Sequence, residues 1–120
     1  MSHSALEYLR HISDELDYLI RQTKALTYGD FLKNETLQKA FVRSLEVLGE
    51  ATKKIPDDFK NKHSYIEWKA MAGMRDKLIH DYFGIDYEIV WDVVINKVPG
   101  LYKKVQEISQ KEGLKPPPGS

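Results

Sequence analysis

The chain has 120 residues, enough for one domain with a modest core and too few for two. Its 18 basic residues balance 18 acidic ones, so it lacks the basic excess with which proteins grip duplex nucleic acid; no DNA partner is expected, and a small selective RNA site stays open. It has no cysteine, which excludes disulfides, thiol catalysis and thiolate metal sites.

The opening MSHSALEYLR lacks the apolar core of a signal peptide, and no apolar run approaches the ~20 residues of a membrane span. A cytoplasmic protein without membrane association is therefore expected. The domain is set at residues 1–114. The tail 115–120, KPPPGS, is expected to be disordered.

Apolar residues recur at helical spacing nearly throughout. Leu9, Ile12, Leu16, Leu19 and Thr23 mark one face of a helix from about Ser4 to Leu26. Tyr28-Gly29-Asp30 breaks it. Asn34 then has the character of an N-cap, and Leu37, Phe41, Leu45, Leu48 and Thr52 form the stripe of a second long helix that ends before Pro56.

The polar stretch PDDFKNKH, 56–63, reads as a loop or one short turn. Ser64 with Glu67 suggests a capping box for a third helix through Ile66, Trp68, Met71, Met74, Leu78 and Ile79, stopping near Gly84. Asp86 caps a fourth through Val90, Trp91, Val94 and Ile95. That run is rich in β-branched residues, but a lone strand would have no partner, so helix is preferred. Pro99 interrupts it or starts a fifth helix carrying Leu101, Val105 and Ile108. The expected fold is all-α, an up-and-down bundle of four to five helices.

The most unusual segment runs from Gly73 to Tyr82, GMRDKLIHDY, with Arg75, Asp76, His80 and Tyr82 at the end of an otherwise apolar helix. At about 100° per residue, Asp76 and His80 share a face and Arg75 and Tyr82 nearly do, whereas Arg75 and His80 stand roughly 140° apart. Those two would not meet on one regular helix. They could converge in a groove if two copies of the helix faced each other across a two-fold axis.

Arginine donates a planar fork to phosphate and stays charged, and histidine moves protons near neutral pH. Together they could cleave RNA without metal. His80 would accept the 2′-hydroxyl proton, and Arg75 would stabilise charge on the phosphoryl oxygens. Asp76 could orient the His80 ring, and Tyr82 could donate to phosphate or stack on a base. From spacing alone, such an Arg/Asp/His group near a helix end is more often a structural ion-pair network or a C-terminal charge complement.

Elsewhere the chemistry is sparse. His63 is expected to be solvated, and His3 and His11 lack the neighbours of a metal site, with Asp14 and Glu15 read as exposed face. Ser44 and Ser64 have no histidine partner in sequence. Gly29, Gly49, Gly73 and Gly84 make no phosphate loop. Trp68 and Trp91 are read as core or interface residues. Lys97, Lys103, Lys104, Lys111 and Lys115 read as a solvated face with a minor role in RNA approach. Between Ser64 and Tyr87 three basic residues face four acidic ones, so modest RNA affinity is expected. No cofactor and no metal are expected.

Arg75, four residues, His80, one residue and Tyr82 match an Arg-x4-His-x-Tyr signature. With Arg43 to Ala51, Ile55-Pro56, Trp68, Gly73 to Asp76, Asp86, Ile89 to Trp91, Pro99 and Leu101 in order, the chain resembles the HepT-like branch of the HEPN superfamily. The resemblance implies a homodimer with the motif lining an interfacial cleft, Arg75 and His80 catalytic, and Asp76 and Tyr82 supporting. It implies a metal-independent endoribonuclease acting as the toxin of a type VII HepT/MNT toxin–antitoxin pair. The antitoxin, a minimal nucleotidyltransferase (MNT), would silence it by AMPylation of Tyr82. Some relatives carry Asn where this chain has Asp76. The alternative within the same resemblance is a non-catalytic HEPN binding module that partners the nucleotidyltransferase.

Overall fold

The computed structural model describes residues 4–78 and 84–113. Ser4 accepts the Glu7 amide at 3.3 Å and starts α1 (Ala5–Thr23), whose stripe Leu9, Ile12, Leu16 and Leu19 is fully buried. Asn34 accepts the Leu37 amide at 3.0 Å and starts α3 (Glu35–Lys54), which ends two residues before Pro56. Both caps follow the sequence expectation.

Between them the expected break is itself helical. Thr27 accepts the Asp30 amide at 3.1 Å and caps α2 (Tyr28–Leu32). The reason is Phe31, which is wholly buried and stacks on Phe41 at 5.1 Å, so tertiary packing holds a turn that Gly29 does not favour locally.

The helices α1 and α3 run antiparallel. The Ser44 hydroxyl donates to Glu15 Oε1 at 2.8 Å, and three residues further along α1 the Tyr18 ring meets Phe41, three residues back along α3, at 6.4 Å. Glu15 is thus drawn partly under cover rather than lying on an exposed face. Helix α1 also packs against α8 (Val98–Lys111), where Gln106 Nε2 donates to the Ser13 hydroxyl at 2.6 Å.

Asp86 accepts the Glu88 and Ile89 amides and caps α7 (Tyr87–Asn96), and Pro99 lies in the first turn of α8. The β-branched run 89–95 is therefore helical. Val90, Val93 and Val94 enter the core, Trp91 is half-buried against Phe31 and Tyr28, and Ile95 is exposed.

The third helix departs most from expectation. Residues 57–62 form a short helix, α4 (Asp57–Lys62), and the Ser64–Glu67 capping box does not form. Ser64 lies in a turn, and the next helix, α5 (Trp68–Ala72), begins at Trp68 without a side-chain cap. Helix α5 then gives way at Gly73 to a separate α6 (Met74–Leu78). With α4 a helix, α2 added and the third helix divided, eight helical segments occupy the described residues instead of four or five, in the same all-α bundle. None is long and apolar enough to cross a membrane. Residues 79–83 and 114–120 lie outside the described residues, and with them the expected end of the third helix and the KPPPGS tail.

Candidate functional site

The site is built on the turn between α5 and α6. Gly73 sits at φ −87° and ψ 7°, off the helical ψ; its amide donates to the Lys69 carbonyl at 3.1 Å, and its own carbonyl accepts Asp76 at 3.1 Å and Lys77 at 3.3 Å. The shared acceptor tightens the first turn of α6. Helix α3 closes on this turn through Gly49. A Cβ there would stand 3.4 Å from the carbonyl oxygens of both Met71 and Ala72, at the tight limit of ordinary contact, so a side chain larger than alanine would have to displace the turn.

Below the turn, the connection 63–67 is pinned from three sides. His63, expected in solvent, is 96% buried: its Nε2 lies 3.0 Å from Glu112 Oε1, and its ring packs on Phe59 at 4.8 Å. Lys62 Nζ reaches the same Glu112 oxygen at 2.7 Å. The Lys62 ammonium first, and then the His63 ring, hold the Glu112 carboxyl below the usual carboxylate range. The Trp68 indole N–H donates to the carbonyls of His63 at 3.0 Å and Lys60 at 3.2 Å, which satisfies a buried donor and fixes the start of α5. Sequence reading missed this anchor because Glu112 lies 49 residues from His63, and nothing local signals that the two meet.

On α6, Met74 and Leu78 are buried, and Arg75, Asp76 and Lys77 face outward. Arg75 leans toward α3, where its Nε donates to Glu46 Oε2 at 3.1 Å; its side chain is 53% exposed, so solvent screens the pair and its net stabilisation is small. The terminal nitrogens of the guanidinium carry no hydrogen bond to a described residue. Glu46 belongs to the landmark run on α3, but spacing alone gave no reason to place it beside Arg75. Asp76 is exposed, and no carboxylate or cation pairs with it among the described residues. His80 and Tyr82 lie outside the described residues, so the expected convergence of Arg75 with His80 is not part of this geometry. Among the described residues no three His, Asp or Glu side chains gather as metal ligands.

The family model described as "Ribonuclease HepT-like" matches residues 6–108. The chain is 51% identical over 105 residues to a protein named "Putative RNase" from Caldanaerobacter subterraneus subsp. tengcongensis, covering 88% of this chain and 94% of that one. It is 52% identical over 101 residues to a "Putative RNase" of Methanocaldococcus jannaschii, covering 84% of each chain. It is 41% identical over 108 residues to the "Probable ribonuclease HepT" of Thermococcus cleftensis, covering 90% of this chain and 98% of that one. No solved structure matches. A family match across most of the chain, near-complete coverage of relatives named as RNases, and an all-α bundle presenting Arg75 on a broken helix agree: the chain belongs to the HepT-like family.

Proposed function

We propose that the protein is an endoribonuclease toxin of a type VII HepT/MNT pair, acting as a homodimer in the cytoplasm, with Arg75 and His80 as its catalytic residues. The observation that carries this reading is Arg75 itself: a guanidinium steadied at Nε by Glu46, with its terminal nitrogens unengaged by described residues, on an outward face of a chain whose relatives are named RNases. Planar terminal N–H groups held in this way suit the equatorial oxygens of a phosphodiester.

The chemistry needs no group beyond the chain, its substrate and water. His80 takes the proton from a ribose 2′-hydroxyl while the O2′–P bond forms. Arg75 stabilises the charge that develops on the non-bridging oxygens. The P–O5′ bond breaks, the departing O5′ takes a proton from water, the proton on His80 passes back to water, and a 2′,3′-cyclic phosphate and a 5′-hydroxyl remain. Asp76 is a supporting residue that orients the His80 ring. Tyr82 is the residue on which the nucleotidyltransferase antitoxin places AMP, adding a bulky anion where the RNA phosphate would sit.

His80→Ala and Arg75→Ala should each reduce cleavage of single-stranded RNA by about 10²–10⁴-fold. Because Arg75 is exposed and its ion pair screened, Arg75→Ala should shift unfolding by no more than about 1 kcal/mol. Wild-type protein that leaves RNA intact, or variants that cut as well as wild type, would sink the catalytic assignment in favour of a non-catalytic module. Co-expression with the neighbouring nucleotidyltransferase should add whole AMP increments to the intact mass of wild type and none to Tyr82→Phe.

A further inference from the structure

Two adjoining cavities flank α5 and α6. The first, about 720 Å³, lies among Lys60, Ile66, Trp68, Lys69 and Lys77. The second, about 300 Å³, lies between α5–α6 and the α7–α8 hairpin; Met71, Met74, Val93 and Leu101 form its floor, and Lys77, Lys97 and Lys104 stand on its rim with Asn96. Glu67, Ala70 and Lys77 border both, so the open first depression adjoins the second along α5 and α6.

The charge along the two is the informative feature. The chain is neutral overall, yet five lysines border them against one carboxylate, Glu67. Among the described residues none of the five is in an ion pair, whereas Lys39, Lys62, Arg21 and Arg75 all are. Unpaired like charges around an apolar floor repel one another, and a polyanion bound along them relieves that repulsion. Of the floor residues Leu101 is half-buried and leaves an apolar surface for a base, while the exposed lysines stand where a backbone would run. The smaller cavity is at the low end of the ~300–1,000 Å³ range of small-ligand sites.

We infer that the groove between α5–α6 and α7–α8 binds single-stranded RNA outside the cleavage site, with Lys77, Lys97 and Lys104 on its phosphates and Leu101 beneath a base. The choice of RNA rests on the ribonuclease reading above. The groove lies on the flank of α6 opposite Arg75, separated from it by the face that carries Asp76. It therefore serves to hold a nucleotide distant from the scissile bond, not to cut it.

The test uses the full wild-type chain and a labelled single-stranded 12-mer of 2′-O-methyl RNA, which lacks the nucleophile and cannot be cleaved, so binding is read independently of catalysis. Lys77→Gln/Lys97→Gln/Lys104→Gln should weaken binding roughly ten- to a hundredfold and lower the slope of log affinity against log salt by about 2, from about 0.7 per phosphate contact. A control triple on exposed lysines away from the groove, Lys33→Gln/Lys39→Gln/Lys53→Gln, should leave both nearly unchanged. If the groove triple does not fold, Lys97→Gln alone should lower the slope by about 0.7.

The inference is overturned if wild type does not bind the probe, if the control triple weakens binding equally, or if the groove triple loses poly-glutamate or its own dimer while keeping RNA. Cleavage of unmodified RNA separates the two readings. Groove-dependent binding without cleavage strikes only the catalytic assignment, and cleavage with lysine-independent affinity strikes only the groove.

Discussion

The α1–α3 pair and the α5–α6 turn are built on opposite terms. In α1 and α3, each about twenty residues long, every third or fourth side chain is an aliphatic or aromatic group shielded from water, and the ends are capped by Ser4 and Asn34. Helices α5 and α6 have five residues each and meet at a glycine. Together they bury Trp68, Met71, Met74 and Leu78 while turning Lys69, Arg75, Asp76 and Lys77 outward. Five-residue helices cannot hold themselves together in water. Their geometry is borrowed from α3 through Gly49, and from α8 through the contacts among Glu112, His63 and Lys62. Burial is concentrated in the long pair, and the outward charges of Lys69, Arg75, Asp76 and Lys77 lie in the segment that depends on it.

Breaking the long pair should have the largest effect. Phe41 is fully buried between Phe31 and Tyr18, so Phe41→Ala should destabilise the fold by about 3–5 kcal/mol in denaturant titration. A cost below about 1 kcal/mol would show that this stack is not part of the core.

A smaller effect should come from forcing the two regions apart. Gly49→Leu places a branched side chain where even a Cβ touches the Met71 and Ala72 carbonyls, and should cost about 1–3 kcal/mol. Because it displaces the turn that leads to Arg75, RNA cleavage by the folded fraction should fall as well. Unchanged activity would mean that α3 does not position the site.

The smallest effect should depend on pH. The Glu112 carboxyl is held below its ordinary range in the folded state, so its contribution is fully present above the unfolded pKa and is lost as pH falls through the folded one. The difference in Tm between wild type and Glu112→Gln should therefore be widest near neutrality and close in acid, below about pH 4. A gap that does not vary with pH would leave packing, not charge, as the role of Glu112.

Much of this was legible in the chain. Capping side chains announce helix starts at Ser4, Asn34 and Asp86, because an N-cap acts within three residues. The residues 89–95 were read as helix because a lone strand cannot satisfy its backbone. The same local logic failed at Ser64, where a capping pattern exists in sequence but the Trp68 indole ties the segment into a turn instead. It failed at 28–32 because Phe31 takes its stability from Phe41. Arg75 and Asp76 stand out in the sequence by their unusual company on an apolar helix, whereas Glu46 as the partner of Arg75, and the burial of His63, had no local trace.

The sequence by itself determined the all-α class, the long helices and the family, since periodicity, caps and an ordered set of landmarks are short-range properties of the chain. The tertiary structure decided where charge accumulates. Counted along 64–87 the chain looks slightly acidic, but folding brings Lys97 and Lys104 from the α7–α8 hairpin to Lys77. Electrostatic interaction depends on distance through space, and separation along the chain does not fix it.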